Sequence, residues 1–350
     1  MSKYSDIAGI LKKEIQSGLY NETGKLPTEF ELVTRFDVSR QTIRQAITNL
    51  KHDGVVYQVQ GSGTYVSKPD NKAGRKNRNM TPTILVICTY ISDYIFPSII
   101  RGVEAVLSDQ GYHMTLAATG NKVDIERKIL SKVISDNSVE GIIVEGTKTG
   151  LPSPNIGLYK KIEELGIPVV FLHCAYPELN NSVVIGMDDY QGGKLAAKRL
   201  ISEGCKKLGA FFKSDDRQGL LRYAGFIDGV LEEGLNLESV EIRWYTTEDI
   251  TDAGYSLDDI QIKNLQDAGI DGYACYNDMV AVALFRDFSK NGYSIPKVIS
   301  FDHSYLCSAY DRRFESLGHQ KEALGRLAAQ KISNMINGKT EEPVFMNWLS

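Results

Sequence analysis

Two sets of polar residues in this chain of 350 residues have the types and spacing to bind other molecules. The first lies between Ser39 and Asp53, a stretch that predicts a short amphipathic helix with Ser39 as its N-cap. Its apolar residues recur at helical spacing, at Ile43, Ala46, Ile47 and Leu50. Its outward face carries polar residues in the first turns, namely Arg40, Gln41, Thr42, Arg44 and Gln45. Such side chains near a helix N-terminus contact base edges and phosphates, so the helix is predicted to read DNA.

The second set follows apolar runs that predict strands of parallel sheets. In such sheets ligands bind beyond the carboxyl ends of the strands. The residues at these ends that we expect to bind an effector are Tyr94, Phe96, Glu145, His173, Arg222, Asn277 and Asp302. Carboxylates and amides pair with vicinal hydroxyls and aromatic rings cover C–H faces, so the set suits a sugar. Asp189 and Asp278 occupy similar positions but could instead hold loops or helix N-termini.

The elements around the DNA-reading helix predict a small α+β unit over residues 1–68. A first helix spans the apolar residues between Ile7 and Ile15, and Thr28 with Glu31 has the spacing of a capping box at the start of a second. After the reading helix, a strand begins at Val55, a turn follows at Gln60, Gly61, Ser62 and Gly63, and a second strand returns. The pattern predicts a winged helix-turn-helix.

Residues 82–350 alternate apolar strands with helices, which predicts parallel sheets covered on both faces. More than ten such strands would make one sheet awkwardly wide, so we expect a two-lobed α/β domain. The stretch between the units, residues 69–81, is polar, basic and without periodicity, and it predicts a flexible tether that could also touch phosphates.

Charge is divided unequally between these units. Residues 1–80 carry 13 Lys and Arg against 8 Asp and Glu, a net charge of +5, whereas the rest carries 27 against 36, a net charge of −9. A basic end on an acidic body indicates a polyanionic partner for that end alone. No apolar run reaches the ~18 residues of a membrane span, and the first residues lack a signal-peptide pattern. We expect a cytoplasmic protein in which the five scattered cysteines are reduced core residues.

The motifs of the first unit resemble those of the winged helix-turn-helix of GntR-family regulators. The matching segments are Leu26-Pro27-Thr28-Glu29, Val38-Ser39-Arg40-Gln41-Thr42-Ile43-Arg44 and Gly61-Ser62-Gly63-Thr64-Tyr65-Val66. The resemblance implies that Arg40 and Arg44 contact DNA and that the wing tip from Gln60 to Gly63 enters the minor groove. Some members have an arginine where this chain has Phe30, so that contact is not expected to carry over.

The second unit resembles the effector domain of LacI/GalR repressors. Five segments match in order: Asp189-Tyr190-Gln191-Gly192-Gly193, Arg222-Tyr223-Ala224-Gly225-Phe226, Asn277-Asp278-Met279-Val280-Ala281, Ser300-Phe301-Asp302 and Leu324-Gly325-Arg326-Leu327-Ala328. The resemblance implies effector contacts by Arg222, Asn277 and Asp302. A GntR-type head on a LacI-type body, with the segment from Tyr94 to Glu104, is similar to the arabinose repressors of Gram-positive bacteria. This resemblance implies L-arabinose or a related pentose as the effector, whereas composition and spacing alone indicate only a small sugar or polyol, so a regulator that responds to another sugar or polyol is the alternative.

These observations favour a sugar-responsive repressor that needs no cofactor and no metal. One head covers half of an operator, so we expect a homodimer. A sugar-processing enzyme is the main alternative, since Glu145, His173 and Asp302 could form acid–base pairs. No nucleophile elbow, P-loop or HExxH motif supports it. A transport-type binding protein would need a signal peptide and would lack the basic head.

Overall fold

The computed structural model describes ten stretches of the chain. They are residues 3–20, 24–52, 55–59, 63–66, 82–91, 94–250, 255–256, 259–294, 296–310 and 314–349. The chain divides into two compact units, Met1–Met80 and Thr81–Ser350. None of the helices in these stretches combines the length and the apolar character that crossing a membrane requires. The segment predicted as a tether, 69–81, lies outside the described residues.

The first unit consists of three helices and an antiparallel hairpin. In chain order these are α1 (Lys3–Gln16), α2 (Glu29–Phe36), α3 (Arg40–His52), β1 (Val56–Val59) and β2 (Gly63–Val66). The predicted capping box is confirmed: the backbone N–H of Thr28 donates to Glu31 Oε2 at 2.7 Å, and that of Glu31 donates to Thr28 Oγ1 at 3.3 Å. The apolar stripe of α3 is buried against α1 and α2. Packing of this stripe fixes which face of α3 points outward.

The second unit contains two parallel sheets, each the centre of one lobe. The first lobe holds six strands in the order β13-β7-β6-β5-β3-β4. These strands are β3 (Thr83–Cys88), β4 (His113–Ala118), β5 (Gly141–Val144), β6 (Val169–Leu172), β7 (Val183–Met187) and β13 (Val344–Met346). Its helices are α4 (Phe96–Asp109), α5 (Val123–Asp136), α6 (Ile156–Glu164) and α12 (Lys321–Ile336). Alternate residues of β3 enter different hydrophobic clusters, so the sheet is covered on both faces.

The second lobe is built in the same way around five strands in the order β12-β11-β10-β8-β9. These strands are β8 (Leu208–Lys213), β9 (Val240–Tyr245), β10 (Gly272–Cys275), β11 (Lys297–Asp302) and β12 (Glu315–Gly318). Its helices are α7 (Asp189–Ser202), α8 (Arg217–Glu232), α9 (Asp259–Asp267), α10 (Asp278–Lys290) and α11 (Tyr305–Ala309). All strand pairs named in both lobes are parallel, as the alternating pattern predicted.

The chain crosses between the lobes three times on one side of the cleft. The crossings follow β7, β12 and β13, at residues 187–189, 318–321 and 346–349. They are joined to one another, since the N–H of Asp188 donates to the carbonyl of Met346 at 2.8 Å and Gly318 pairs with Leu349. These three crossings form the hinge of the domain. Because they bring distant segments together, side chains from all three can meet at the floor of the cleft.

Candidate functional site

The outward face of α3 presents two arginines held by one carboxylate. Arg40 and Arg44 lie one helical turn apart, and their side chains are 69% and 62% exposed. The Nε of Arg40 donates to Glu29 Oε2 at 2.9 Å, and the Nε of Arg44 donates to the same oxygen at 3.1 Å. Hydrogen bonds from Arg40 and then Arg44 lower the pKa of Glu29 despite its partial burial. Both guanidinium groups are therefore aimed from one side of the head before any nucleic acid is present.

The other predicted DNA contacts surround this pair on α3. Gln41 and Gln45 are exposed, whereas Thr42 is half-buried and engaged in the helix cap, with its hydroxyl 2.8 Å from that of Ser39. The N–H of Thr42 donates to Ser39 Oγ at 3.2 Å, so the predicted N-cap is present. Sequence reasoning missed the role of Glu29, because its partners follow it by 11 and 15 residues in a different helix.

The wing is only partly described. Gln60, Gly61 and Ser62 lie outside the described residues, so their predicted minor-groove contacts stay predictions. Gly63 begins β2 with a φ of +136°, a backbone conformation that residues with a side chain rarely adopt. The rings of Tyr57 and Tyr65 stack across the hairpin with centroids 5.6 Å apart. This cross-strand pair stabilises the base of the hairpin that carries the tip.

In the second unit, Arg222 is buried at the hinge side of the cleft. Arg222 is 1% exposed, and its Nε donates to Asp189 Oδ1 at 2.8 Å. A close approach of α7 and α8 makes this bond possible, because an added Cβ at Gly193 would lie 2.1 Å from the carbonyl oxygen of Arg222. The guanidinium carbon lies 4.4 to 4.9 Å from the ring centroids of Phe301, Tyr276 and Trp348. Burial opposes the charge, but Asp189 raises the pKa of Arg222 and keeps it a cation.

Asp302 and Tyr94 meet across the cleft, although 208 residues separate them in sequence. The Tyr94 hydroxyl donates to Asp302 Oδ2 at 2.7 Å and accepts from the backbone N–H of Asp278 at 3.1 Å. Burial raises the pKa of Asp302 to about 6, against the opposing effect of Arg222. Asp302 also has a φ of +94°, a strained conformation for a residue with a side chain. The end of β11 is thus shaped so that this carboxylate faces the first lobe.

Glu145 and His173 form a second polar group on the side of the first lobe. Glu145 Oε2 accepts from the backbone N–H of Thr89 at 3.0 Å and from the Thr89 hydroxyl, and His173 Nε2 lies 3.7 Å from Glu145 Oε1. Burial raises the pKa of Glu145 to about 7 and lowers that of His173 to about 3. They line a small pocket, to which Asp216 and Gln218 of the second lobe also contribute. The pocket thus has donors and acceptors from both lobes.

Three buried aromatic side chains on the floor of the cleft have ring nitrogens without a hydrogen-bond partner within the described residues. They are both ring nitrogens of His173, both of His319 and the indole nitrogen of Trp348. The rings form a row, with His319 at 5.3 Å from His173 and 5.6 Å from Trp348. Buried polar groups normally bond to protein, water or ligand, so these ring nitrogens are free to bond to water or to a bound molecule. His319 and Trp348 come from the hinge crossings, and nothing in their local sequence singled them out.

The two remaining predicted residues have evident structural roles. Asn277 accepts the N–H of Val280 on its Oδ1 at 3.1 Å and so caps α10. Phe96 packs among the core residues of the first lobe, which accounts for its burial without a ligand. Asp278 holds loops, the alternative role considered for it, because its carboxylate accepts from Ser300, Ser304 and Ser316. Within the described stretches, no group of three or more His, Cys, Asp or Glu side chains is arranged to hold a metal ion.

Comparison with known proteins matches each unit to a family. Residues 3–66 match the bacterial regulatory proteins of the gntR family. Residues 81–346 match the periplasmic binding proteins and sugar binding domain of the LacI family. The chain belongs to the LacI-type sugar-binding family. Its head makes it a DNA-binding transcriptional repressor with a sugar-binding domain, as the motifs predicted.

Relatives of this regulator match it over nearly its whole length. The arabinose metabolism transcriptional repressor of Halalkalibacterium halodurans (strain ATCC BAA-125 / DSM 18197 / FERM 7344 / JCM 9153 / C-125) is 36% identical, covering 97% of this chain and 91% of its own. That of Geobacillus stearothermophilus is 33% identical, covering 98% and 94%. A solved periplasmic binding protein/LacI transcriptional regulator from Alkaliphilus metalliredigens QYMF, complexed with D-xylulofuranose, shares the fold with a TM-score of 0.64 at 24% identity, covering 77% and 97%.

The enzyme alternative is wrong for this regulator. Its relatives are transcriptional repressors, and both matched families are regulatory or binding families. The residues that suggested acid–base chemistry have other partners: Glu145 accepts two bonds from Thr89, and Asp302 accepts the Tyr94 hydroxyl. They are therefore arranged as fixed hydrogen-bonding groups on the two walls of the cleft.

Proposed function

We propose that this regulator binds operator DNA as a homodimer and is released from it by L-arabinose or a related pentose. The observation that carries the proposal is the similarity, over nearly the whole chain, to two arabinose metabolism transcriptional repressors. The chemistry of the cleft supports it. Glu145 and His173 line one small pocket together with Asp216 and Gln218, and Asp302 adds a carboxylate from the second lobe. A molecule dense in hydroxyl groups requires such acceptors and donors. The proposal needs no cofactor besides the sugar.

Homodimerisation is proposed because one head reads only half a site. A single helix and wing cover a few base pairs, and a two-fold symmetric pair doubles the contact area on a pseudo-palindrome. The second lobe offers an apolar face for such a contact, where Met279 is 43% and Tyr305 is 60% exposed. A pocket lined by Met279, Val282 and Leu306 lies on this face. Light scattering after gel filtration tests the dimer directly. We expect the dimer to act in the cytoplasm, where operator DNA is found.

In the proposed mechanism, sugar binding stabilises the closed arrangement of the two lobes and thereby lowers the affinity of the heads for the operator. A coupling of this kind is typically about 1–3 kcal/mol and is reciprocal, so operator DNA must weaken sugar binding by the same factor. Titrating L-arabinose into a complex with fluorescent operator DNA should therefore raise the operator Kd by about tenfold or more.

D-arabinose is the matched control, because it has the same hydroxyl count in mirror-image geometry. A panel with D-xylose, D-ribose and L-arabitol, read by thermal shift, identifies the sugar that stabilises the folded state by mass action. An operator Kd that no sugar of the panel changes would contradict the induction model. A response to another pentose alone would replace L-arabinose and keep the mechanism.

A further inference from the structure

The edge of the cleft opposite the hinge carries a second set of contacts between the lobes. On the first lobe it comprises Asn121 and the loop of residues 147–150, which follow β4 and β5. On the second lobe it comprises residues 214–217 and 247–248, which follow β8 and β9. We refer to these residues as the clasp. None of them belongs to the residues predicted to bind the effector.

Hydrogen bonds and ion pairs between described residues join the two sides of the clasp. The backbone N–H of Gly150 donates to the carbonyl of Asp215 at 3.0 Å, and that of Arg217 donates to Thr149 Oγ1 at 3.1 Å. The side-chain amide of Asn121 donates to Thr247 Oγ1 at 2.6 Å, and the Lys148 ammonium pairs with Glu248. Because Arg217 begins α8, its N–H belongs to the free amides of a helix N-terminus, and the partner from the other lobe satisfies it.

Hydrogen bonds within each lobe also hold the clasp residues of that lobe together. On the first lobe, Asn121 Oδ1 accepts the N–H of Lys148 at 2.9 Å, which ties the two loops together. On the second lobe, Asp215 Oδ2 accepts from the N–H and the hydroxyl of Thr247 at 3.0 and 2.6 Å. Asn121 and Asp215 are each 1% exposed. These buried bonds hold the loops in the conformation that the opposite lobe requires.

The buried carboxylate of Glu126 holds the first-lobe loop of residues 147–150. Glu126 on α5 is fully buried and accepts the N–H of Thr147 at 3.1 Å. It also accepts from the side chains of Asn155, Tyr159 and Tyr176 at 2.7 to 2.9 Å. The start of the loop is therefore fixed to the body of the first lobe.

Gly150 makes the clasp sensitive to the distance between the lobes. A Cβ added there would lie 2.8 Å from the carbonyl oxygen of Ser214 and 3.0 Å from backbone atoms of Asp215 and Asp216. All three atoms belong to the second lobe, and backbone atoms cannot rotate away as side-chain ends can. The φ of Gly150 is outside the left-handed region, so alanine fits the loop itself. The methyl group would therefore collide with the second lobe as the lobes are arranged in this structure.

We propose that the clasp is the latch that sets the free-energy difference between the open and closed lobes, and hence the apparent affinity for the effector. The hinge crossings keep the lobes attached, but they do not close the far edge. A sugar that binds the closed form shifts a two-state equilibrium, and its apparent Kd depends on how much closed form exists. The effect of the clasp on sugar affinity rests on the proposed function, whereas lobe closure itself can be measured without sugar.

The test compares Gly150→Ala with Gly157→Ala, whose added methyl meets nothing within 4 Å. Hydrogen exchange of the full chain without sugar reads closure at the peptides covering 145–155 and 214–218. Gly150→Ala is expected to speed exchange in both, including the one on the opposite lobe, and Gly157→Ala in neither. Titration with L-arabinose should show the affinity of Gly150→Ala reduced about tenfold, the factor typical of one steric overlap that must be relieved.

A second variant removes a bond without adding atoms in the interface. Thr149→Val deletes the acceptor of the Arg217 N–H and should speed exchange at 214–218. Unchanged exchange at 214–218 in both Gly150→Ala and Thr149→Val would overturn the latch, as would faster exchange with unchanged sugar affinity. A wild-type chain that binds no sugar would refute the proposed function, and the exchange measurements would still decide the latch.

Discussion

The buried ion pair between Arg222 and Asp189 offers the sharpest test of how the hinge side of the cleft is stabilised. Their side chains are only 2% and 1% exposed, so each charge relies on the other instead of on water. Removing one partner of such a pair costs about 3–5 kcal/mol, because the remaining charge stays buried without compensation. We therefore expect Arg222→Met, which keeps much of the side-chain volume, and Asp189→Asn each to destabilise the effector domain by about that amount.

The double variant distinguishes a coupled pair from two independent losses. With both charges gone, no uncompensated charge remains, so the double variant should be more stable than the sum of the single effects predicts, by at least about 2 kcal/mol. Urea unfolding followed by tryptophan fluorescence measures this, because both tryptophans, Trp244 and Trp348, lie in the effector domain. Trp348 packs on the Arg222 guanidinium and reports the site itself.

A coupling energy below about 0.5 kcal/mol, the usual limit of additivity, would refute the assignment of Asp189 as the charge partner of Arg222. If Arg222→Met destabilises the domain and Asp189→Asn does not, the three aromatic rings around the guanidinium contribute more to its stabilisation than Asp189 does. This placement also changes how a sugar-binding defect at Arg222 must be interpreted. Loss of sugar response in Arg222→Ala is evidence for a sugar contact only if the domain remains folded.

Three further outcomes follow from the described contacts. Because Arg44 is predicted to contact a base or a phosphate, Arg44→Ala should weaken operator binding by about 1–3 kcal/mol and leave sugar affinity unchanged. The dependence of the operator binding constant on salt concentration should also fall by about one released ion. If fluorescence anisotropy gives the same operator affinity for the variant and the wild type, Arg44 is not part of the interface. Thr28→Ala removes the capping box of α2 and should destabilise the head by about 1 kcal/mol, measured by thermal denaturation; an unchanged melting temperature would show that the cap contributes nothing. Because the folded-state pKa of Glu145 is raised to about 7 from 4.5, its contribution to stability is present at low pH and is lost as pH rises through 7. Between pH 5 and 8, the free energy of unfolding of the wild type should therefore fall by up to about 3 kcal/mol relative to that of Glu145→Gln, because the other titrating groups are common to both chains. Parallel pH curves for the two chains would contradict the burial argument.

The head could be predicted from the sequence in detail, because the forces that shape it act over short distances along the chain. A capping box needs residues three apart, and an apolar stripe needs residues three and four apart. Thr28, Glu31 and Ser39 therefore take the places predicted for them. The pairing of Glu29 with Arg40 and Arg44 escaped prediction, since it depends on how two helices cross.

For the effector domain, the sequence predicted the fold class and a polar cleft between two lobes. Alternating apolar strands and helices indicate parallel sheets, and the strand-end rule brought Glu145, His173 and Asp302 to the walls of a cleft between lobes. Strands with mostly exposed or half-buried residues escaped prediction, as β9, β12 and β13 did, because they lack the continuous apolar pattern of a buried strand. Without β13 the third hinge crossing could not be placed.

By itself, the sequence determined the order of the two units, the DNA-reading face and the polar character of the cleft. Each of these depends on residue type and near-neighbour spacing. Only the tertiary structure decided which polar groups are partners: Arg222 with Asp189, Tyr94 with Asp302, and the loops of the clasp with each other. Those contacts join residues that lie 33 to 208 positions apart. Their geometry depends on sheet order and on three hinge crossings, which no local pattern encodes.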